Sequence, residues 1–430
     1  MHSKLKIIVY IYIFLIIFEN IFRKWGLSSF SSVIPLIKEP FAFYLIYIGL
    51  FHKWLNNFFC ISIMSLGFIT FILTLLFGHQ NIIVAIYGAK IWIINIPVAF
   101  SIAHILNKND LQKISKYILY AAIPIIILAL LQSQLPPESI LNKGVGDSET
   151  SLFEGRASSI FSYAGGYVYY LSIVLSILLF YLLNYNKQRN PINRLILYIC
   201  IILYIISIPF SVSRTHLYLT IFSLVSIIIG SYQIKEYRSQ INKFILIIPI
   251  LLLIIYSLNF TSSAQEKFSN RFEVANNIEG KNNFDAFYNR TIKYRFQAIG
   301  NINAIPVAGY GTGMGTNVGS KLLGGKDMFS FFNAENEWSR VINESGFYIG
   351  ILIIMWRIIL TIFIIKIGWK ALSQKKDLFI WCLIVPTSIF LISSQLGNPT
   401  SLGFLTLTTS LILTRYKVLY QRSNHKIHHI

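Results

Sequence analysis

Apolar blocks alternate with short polar connections along the whole chain, and each block has the length of a bilayer crossing rather than that of a soluble helix or strand. A crossing needs roughly 20 mostly apolar residues, because only a helix satisfies its own backbone hydrogen bonds in lipid. The pattern predicts spans at 5–22, 33–51, 56–78, 82–106, 113–134, 161–183, 195–212, 216–233, 243–260, 346–366, 378–395 and 402–416. The expected fold is therefore all-α: one integral membrane domain over 1–430 with twelve transmembrane helices. Two polar stretches break the rhythm. The shorter, 135–160, opens on Pro136-Pro137, which end the helix before it. The longer, 261–345, falls between the ninth and tenth spans and collects most of the residues able to do chemistry.

That long loop carries helical patterning of its own. Over 285–302, Phe287, Thr291, Tyr294 and Ala298 share one helical face, while Arg290, Lys293 and Gln297 share a neighbouring one; this predicts a helix lying on the membrane surface. Pro306 then breaks the chain. Gly309, Gly311, Gly313 and Gly315 predict a flexible loop, and a further helix is expected to start at Asn333 and run through Glu335, Trp338 and Glu344 into the tenth span.

Composition agrees with the pattern. Hydrophobic residues make up 55% of the 430 and charged ones 13%, with a mean hydropathy of +0.61, which excludes an ordinary soluble domain. The net charge of +20 would suit nucleic acid, but its placement argues otherwise. Lys108, Lys113 and Lys116, then Lys187, Arg189 and Arg194, then Lys235, Arg238 and Lys243, and then Lys366, Lys370, Lys375 and Lys376 fall in alternate short connections. That is the positive-inside pattern; it puts both termini in the cytoplasm and both polar loops outside. No nucleic-acid partner is implied. Cys60, Cys200 and Cys382 lie inside apolar blocks and read as packing residues. Lys4 and Lys6 precede an apolar run with no small-residue cleavage site after it, so the first span is expected to be retained.

Candidate chemistry gathers on the outer face. Arg156 ends the short loop, Arg214 sits in the turn before the eighth span, and the long loop brings Arg290, Lys293 and Arg295. A lone arginine at a helix end merely snorkels to the interface. Arginines on three separate outer segments instead suggest a diphosphate, whose oxygens pair with the planar guanidinium fork. Glu337, Arg340 and Glu344 stand at i, i+3 and i+7, the spacing of an intrahelical ion-pair ladder. Glu335 lies on another face, where it is either a favourable first-turn charge or a base at the mouth of a membrane cleft. The glycine run contains GxGxG without the strand and helix of a nucleotide fold, which leaves only backbone N–H groups for an anion. Lys90 and Arg357 lie within spans; Lys90 is expected to reach the outer cavity and Arg357 to pair with an acid across helices. No histidine occurs between His216 and His425, so the long loop offers no imidazole base and no metal site, and the histidines near the C-terminus read as a solvated tail.

At these positions the chain resembles the O-antigen polymerase and O-antigen ligase superfamily of bacterial envelope glycan assembly. Gly155-Arg156-Ala157-Ser158-Ser159-Ile160-Phe161-Ser162 is similar to that family's arginine segment leading into a span, and Ser213-Arg214-Thr215 to its short Ser-Arg element. Arg290 with Tyr294 and Ala298, then Pro306 and Gly309-Tyr310-Gly311, resembles the loop pattern; Asn336 with Glu344 and Gly346 resembles the element at its end. The resemblance implies a glycosyltransferase of the inner membrane with a periplasmic active face and no cofactor. Its donor would be a glycan on undecaprenyl diphosphate, its acceptor a sugar hydroxyl, and a chain-length regulator a further partner. Arg156, Arg214 and Arg290 would bind the diphosphate and Glu335 would act as base, with Lys90, Lys293, Tyr294, Arg295, Asn336, Glu337, Arg340 and Glu344 as accessory residues. Many members, the ligases above all, carry histidine before that asparagine. Glu335 in its place favours a repeat-unit polymerase over a ligase acting on lipid A core. A third reading is a flippase for lipid-linked oligosaccharide, but its charges would line the membrane depth instead of gathering at one face.

Overall fold

A computed structural model describes every residue except 1, 32, 146–155, 185–191, 240, 243–261, 281, 294, 297–304, 317–318, 320–321, 324–335 and 425–430. Helices α1 (His2–Ile21), α2 (Glu39–Phe51), α3 (Phe58–Phe77), α4 (Ile82–Ile93), α5 (Asn95–Ile105), α6 (Lys108–Gln134), α7 (Ala164–Leu183), α8 (Arg194–Phe210) and α9 (Arg214–Tyr232) precede the long polar segment. Within it lie α10 (Ser262–Glu279), α11 (Asn283–Tyr288) and α12 (Glu337–Ser345), and α13 (Phe347–Lys375), α14 (Phe379–Ile392) and α15 (Pro399–Asn424) follow. Among the described residues all of these elements are helical and no strand occurs.

Each predicted apolar block other than 243–260, which lies outside the described residues, is occupied by a helix. Length and apolarity qualify seven described segments as crossings, or eight if the bent pair α4–α5 counts as one. The protein is membrane-embedded on that ground. Helices α8 and α14 are apolar but shorter, at 17 and 14 residues. Helix α15 is long but rich in hydroxyls, and it sits where those are tolerated. Thr406, Thr408, Ser410 and Thr414 are buried, and each donates to a carbonyl of the same helix three or four residues earlier. The predicted span at 82–106 is bent by 41° between Ile93 and Asn95. Pro97 explains the break, since it has no N–H for the Ile93 carbonyl and its ring crowds that turn.

The helix starts follow local chemistry. Asn107 accepts from the amides of Asn109 and Asp110, and Asp110 returns a bond to the Asn107 amide, a reciprocal cap. Asn57, Asn81, Ser213 and Asn336 cap α3, α4, α9 and α12 from one side only, their side chains accepting from first-turn amides. Helices α5 and α7 are buried on nearly all sides and pack with α15 at the centre. Outward faces of α1, α3, α9 and α13 instead expose large apolar side chains such as Phe14, Phe68, Phe222 and Ile359, as a lipid-facing shell does.

The two ends of the bundle differ. At one, Lys6 pairs with Asp110 at 2.6 Å, Lys417 donates to the carbonyls of His104 and Leu106, and Arg415 pairs with Asp377. This end joins the start of α1, the end of α5, the start of α6 and the connection between α13 and α14. At the opposite end Asn20 donates to Thr400, Tyr163 bonds Ser401 at 2.5 Å, Trp25 donates to Ile140 O and Lys24 donates to Ser158. The end of α1, the end of α6, the approach to α7 and the start of α15 thus meet there.

Candidate active site

Helix α12 is the charged centre of that second end. Asn336 accepts from the Trp338 and Ser339 amides and so sets its start. The helix therefore begins after Glu335, not at Asn333 as predicted, and Glu337 takes the first-turn position. Nor does it run on into the tenth span: Gly346, at φ +77°, separates α12 from α13. The predicted ladder is present. Arg340 grips both carboxylate oxygens of Glu337 at 2.9 Å and one oxygen of Glu344 at 2.7 Å. Arg357 of α13 adds a 2.9 Å bond to Glu337 and donates to the carbonyls of Leu391 and Ser394.

These four groups are 2%, 4%, 1% and 1% exposed for Glu337, Arg340, Glu344 and Arg357, so two acids and two arginines neutralise one another inside the protein. Burial would raise the Glu337 carboxyl, but Arg340 and Arg357 outweigh it and hold the group below its usual range. Burial likewise opposes charge on Arg340, and its two carboxylate partners more than reverse that. An acid held this firmly as its anion between two guanidiniums makes a poor proton acceptor. The cluster is a scaffold.

The glycine loop plugs onto this scaffold and is not the flexible element predicted. Its amides at Tyr310 and Gly311 donate to the carbonyls of Asn343 and Glu344, and Gly315 donates to Glu344 Oε1 at 2.7 Å. On its other side Thr312 donates to Thr74 Oγ1 at 2.8 Å, and the His79 ring lies 3.1 Å from the Thr312 carbonyl. Gly309, Gly311 and Gly313 have φ of +74°, +115° and +92°. The turn is expected to offer backbone N–H groups to an anion; those of Gly311, Thr312 and Gly315 are spent on the protein itself.

Cationic segments surround this core. Arg214 is the first residue of α9 and is nearly buried; Arg156 is half-buried. Of the helix predicted over 285–302, α11 supplies the start and passes at Asn289 into a wider helical turn, Asn289–Lys293, that carries the Arg290 backbone; 297–302 lie outside the described residues. Phe287 stacks edge-on against Tyr218 at 5.0 Å, one turn along α9 from Arg214. Arg295 donates to Ser393 Oγ at 2.6 Å, and burial lowers its guanidinium from the ordinary value. Phe296 meets Trp338 at 5.8 Å, whose indole donates to the Ile392 carbonyl. The Arg290 turn therefore spans from the start of α9 to the junction of α14 with α15. Lys293 is exposed. Glu335, Tyr294 and the Arg290 side chain lie outside the described residues.

Lys90 does not reach this group as a free cation. It pairs with Glu39 at 2.9 Å and rests over the Tyr87 ring. Sequence reasoning passed over the polar junction of α14 and α15, where Ser393, Ser394 and Thr400 accept from Arg295, Arg357 and Asn20 and the Ser401 hydroxyl bonds that of Tyr163. The signal was there in the run SSQLGNPTS between two apolar blocks. It also passed over Lys24, which with Arg23 follows the first apolar block. Among the described residues no group of three or more His, Cys, Asp or Glu is arranged to hold a metal. No known family profile, curated protein or solved structure matches this chain.

Proposed function

We propose that the protein is a repeat-unit polysaccharide polymerase, transferring glycan from undecaprenyl diphosphate to a sugar hydroxyl at the outer face of a bacterial inner membrane. One observation carries the reading: the segments bearing Arg156, Arg214 and Arg290 all lie at the end of the bundle that holds the neutral, buried acid–arginine cluster. Charges gathered at one end suit chemistry on a lipid head group better than passage through the membrane depth.

In the proposed step the acceptor oxygen bonds to the anomeric carbon as the bond from that carbon to the diphosphate oxygen breaks, with inversion. The acceptor's proton passes to Glu335, the residue before the Asn336 cap, and the arginines neutralise the departing diphosphate. Loss of one such charge slows a reaction by on the order of 10²–10³. Arg290→Ala and Glu335→Ala are accordingly expected to remove long glycan chains from the cell surface while the protein still inserts. Wild-type ladders on a glycan gel from both variants would reject the assignment. Deleting the gene should leave a single-repeat band; polymer stranded on undecaprenyl diphosphate would indicate a ligase instead.

The reading includes twelve crossings, cytoplasmic termini and a periplasmic 261–345 segment. Cys60, Cys200 and Cys382 are buried and should stay silent to a membrane-impermeant maleimide. A cysteine placed at the exposed Ile278 is expected to react in intact spheroplasts, and one at Gln374 only after lysis. The reverse pattern would turn the protein over and end the proposal.

A further inference from the structure

Ser159 has φ +52°, a left-handed conformation that serine seldom adopts. Four hydrogen bonds from three directions hold it there. Its amide donates to Gln132 Oε1 at 2.7 Å and its hydroxyl to the Ile125 carbonyl at 2.6 Å. Its carbonyl accepts from Gln132 Nε2 at 3.2 Å and from Lys24 Nζ at 2.7 Å. Lys24 also donates to Ser158 Oγ at 2.6 Å. Lys24, Gln132, Ser158 and Ser159 are each 0% exposed.

Such a knot is more than packing requires. A lysine is among the costliest side chains to bury, and its two bonds here both go to the residues that follow Arg156 and Ala157. It projects from a widened helical turn, Phe22–Gly26, a distortion that recurs at functional positions. Strained backbone of the Ser159 kind persists where its surroundings over-determine it, and it too collects at working sites. The knot joins α1 and α6 to the segment that delivers Arg156.

We propose that Lys24 is a positioning residue: with Gln132 it clamps Ser158 and Ser159, and so fixes where the Arg156 segment stands for an anionic diphosphate lipid. This rests on the functional reading above. Lys24 acts through the Ser158-Ser159 backbone turn and does not itself touch the ligand.

The test uses full-length protein in detergent and undecaprenyl diphosphate as probe. K24M removes both bonds at near-constant volume. It is expected to speed amide exchange over 156–163, and to weaken the probe by on the order of tenfold, the equivalent of one lost hydrogen bond. Exchange in α13 should stay as in wild type. Lys24→Arg keeps donors on a long stem and should restore binding. If K24M does not accumulate, Gln132→Leu releases Ser159 from the other side with the lysine in place and should give the same pair of changes. Wild-type affinity in K24M overturns the inference, and so does faster exchange spread over α13, which would make Lys24 a packing residue only. Failure of the wild type to bind the probe sinks the functional reading, and the inference with it, so the two failures are distinct.

Discussion

Glu337→Ala is expected to lose about 3–5 kcal/mol of stability, enough to keep the protein from accumulating, because it strands Arg357 as a buried cation and leaves Arg340 with Glu344 alone. Glu337 supplies both oxygens to Arg340 and one to Arg357. Removing Arg357 alone is less severe, since Glu337 keeps the bidentate grip of Arg340. The double variant Glu337→Ala with Arg357→Met should therefore cost less than the two single effects together, as contacting partners do. Thermal unfolding in detergent measures all three. Additive losses would show that the groups do not act as one cluster. The pH dependence follows from the same pair. The folded-state carboxyl is depressed, so its contribution is complete above the ordinary carboxylate value of about 4.3. It fades as pH falls below that value toward the depressed one. Glu337→Gln should lack this acid-side slope.

Much of this cluster was legible because it is local. Spacing of i, i+3 and i+7 places Glu337, Arg340 and Glu344 on one helical face wherever the helix sits, and the ladder is found. The long apolar blocks were legible for the same reason: hydrocarbon sets their length, and each described block holds a helix. Arg357 could be expected to seek an acid, but its choice of Glu337 depends on how α13 folds back past Gly346, a tertiary matter. That break was hidden because glycine before an apolar run continues a helix as readily as it ends one until packing decides. Lys90 went astray similarly: its nearest acid, Glu39, stands on a helix distant in sequence. Helix α15 could be read only as a short span, since composition does not reveal that its hydroxyls are satisfied by its own carbonyls. The Ser159 knot left no trace in the sequence at all, being built from the turn after α1, from α6 and from a loop.

Gly313→Ala is expected to unseat the glycine loop and to destabilise the protein nearly as much. A Cβ at this position would fall inside 3.0 Å of the Val84 carbonyl and of Gly88 N, both backbone atoms that cannot swing aside. Overpacking of that kind costs about 1–3 kcal/mol. The φ of +92° adds about 1–2 kcal/mol for any residue with a side chain. Gly88→Ala tests the same contact from α4. In an isolated helix alanine would be favoured there by about 1 kcal/mol. Here its Cβ meets Gly313 N, the Thr312 carbonyl carbon and Thr312 Oγ1, so the steric term prevails and the sign reverses. Gly403→Ala serves as the contrast, because the three atoms nearest its new methyl all belong to the side chain of Ile16, at 3.0 Å or beyond. Unseating the loop withdraws the Gly315 amide from Glu344, so the damage reaches the Arg340 cluster. Limited proteolysis near 305–316 with a thermal melt reads both effects. Gly88→Ala at or above wild-type stability, with the loop still protected, would mean that the loop does not dock against α4 and that the scaffold stands without it.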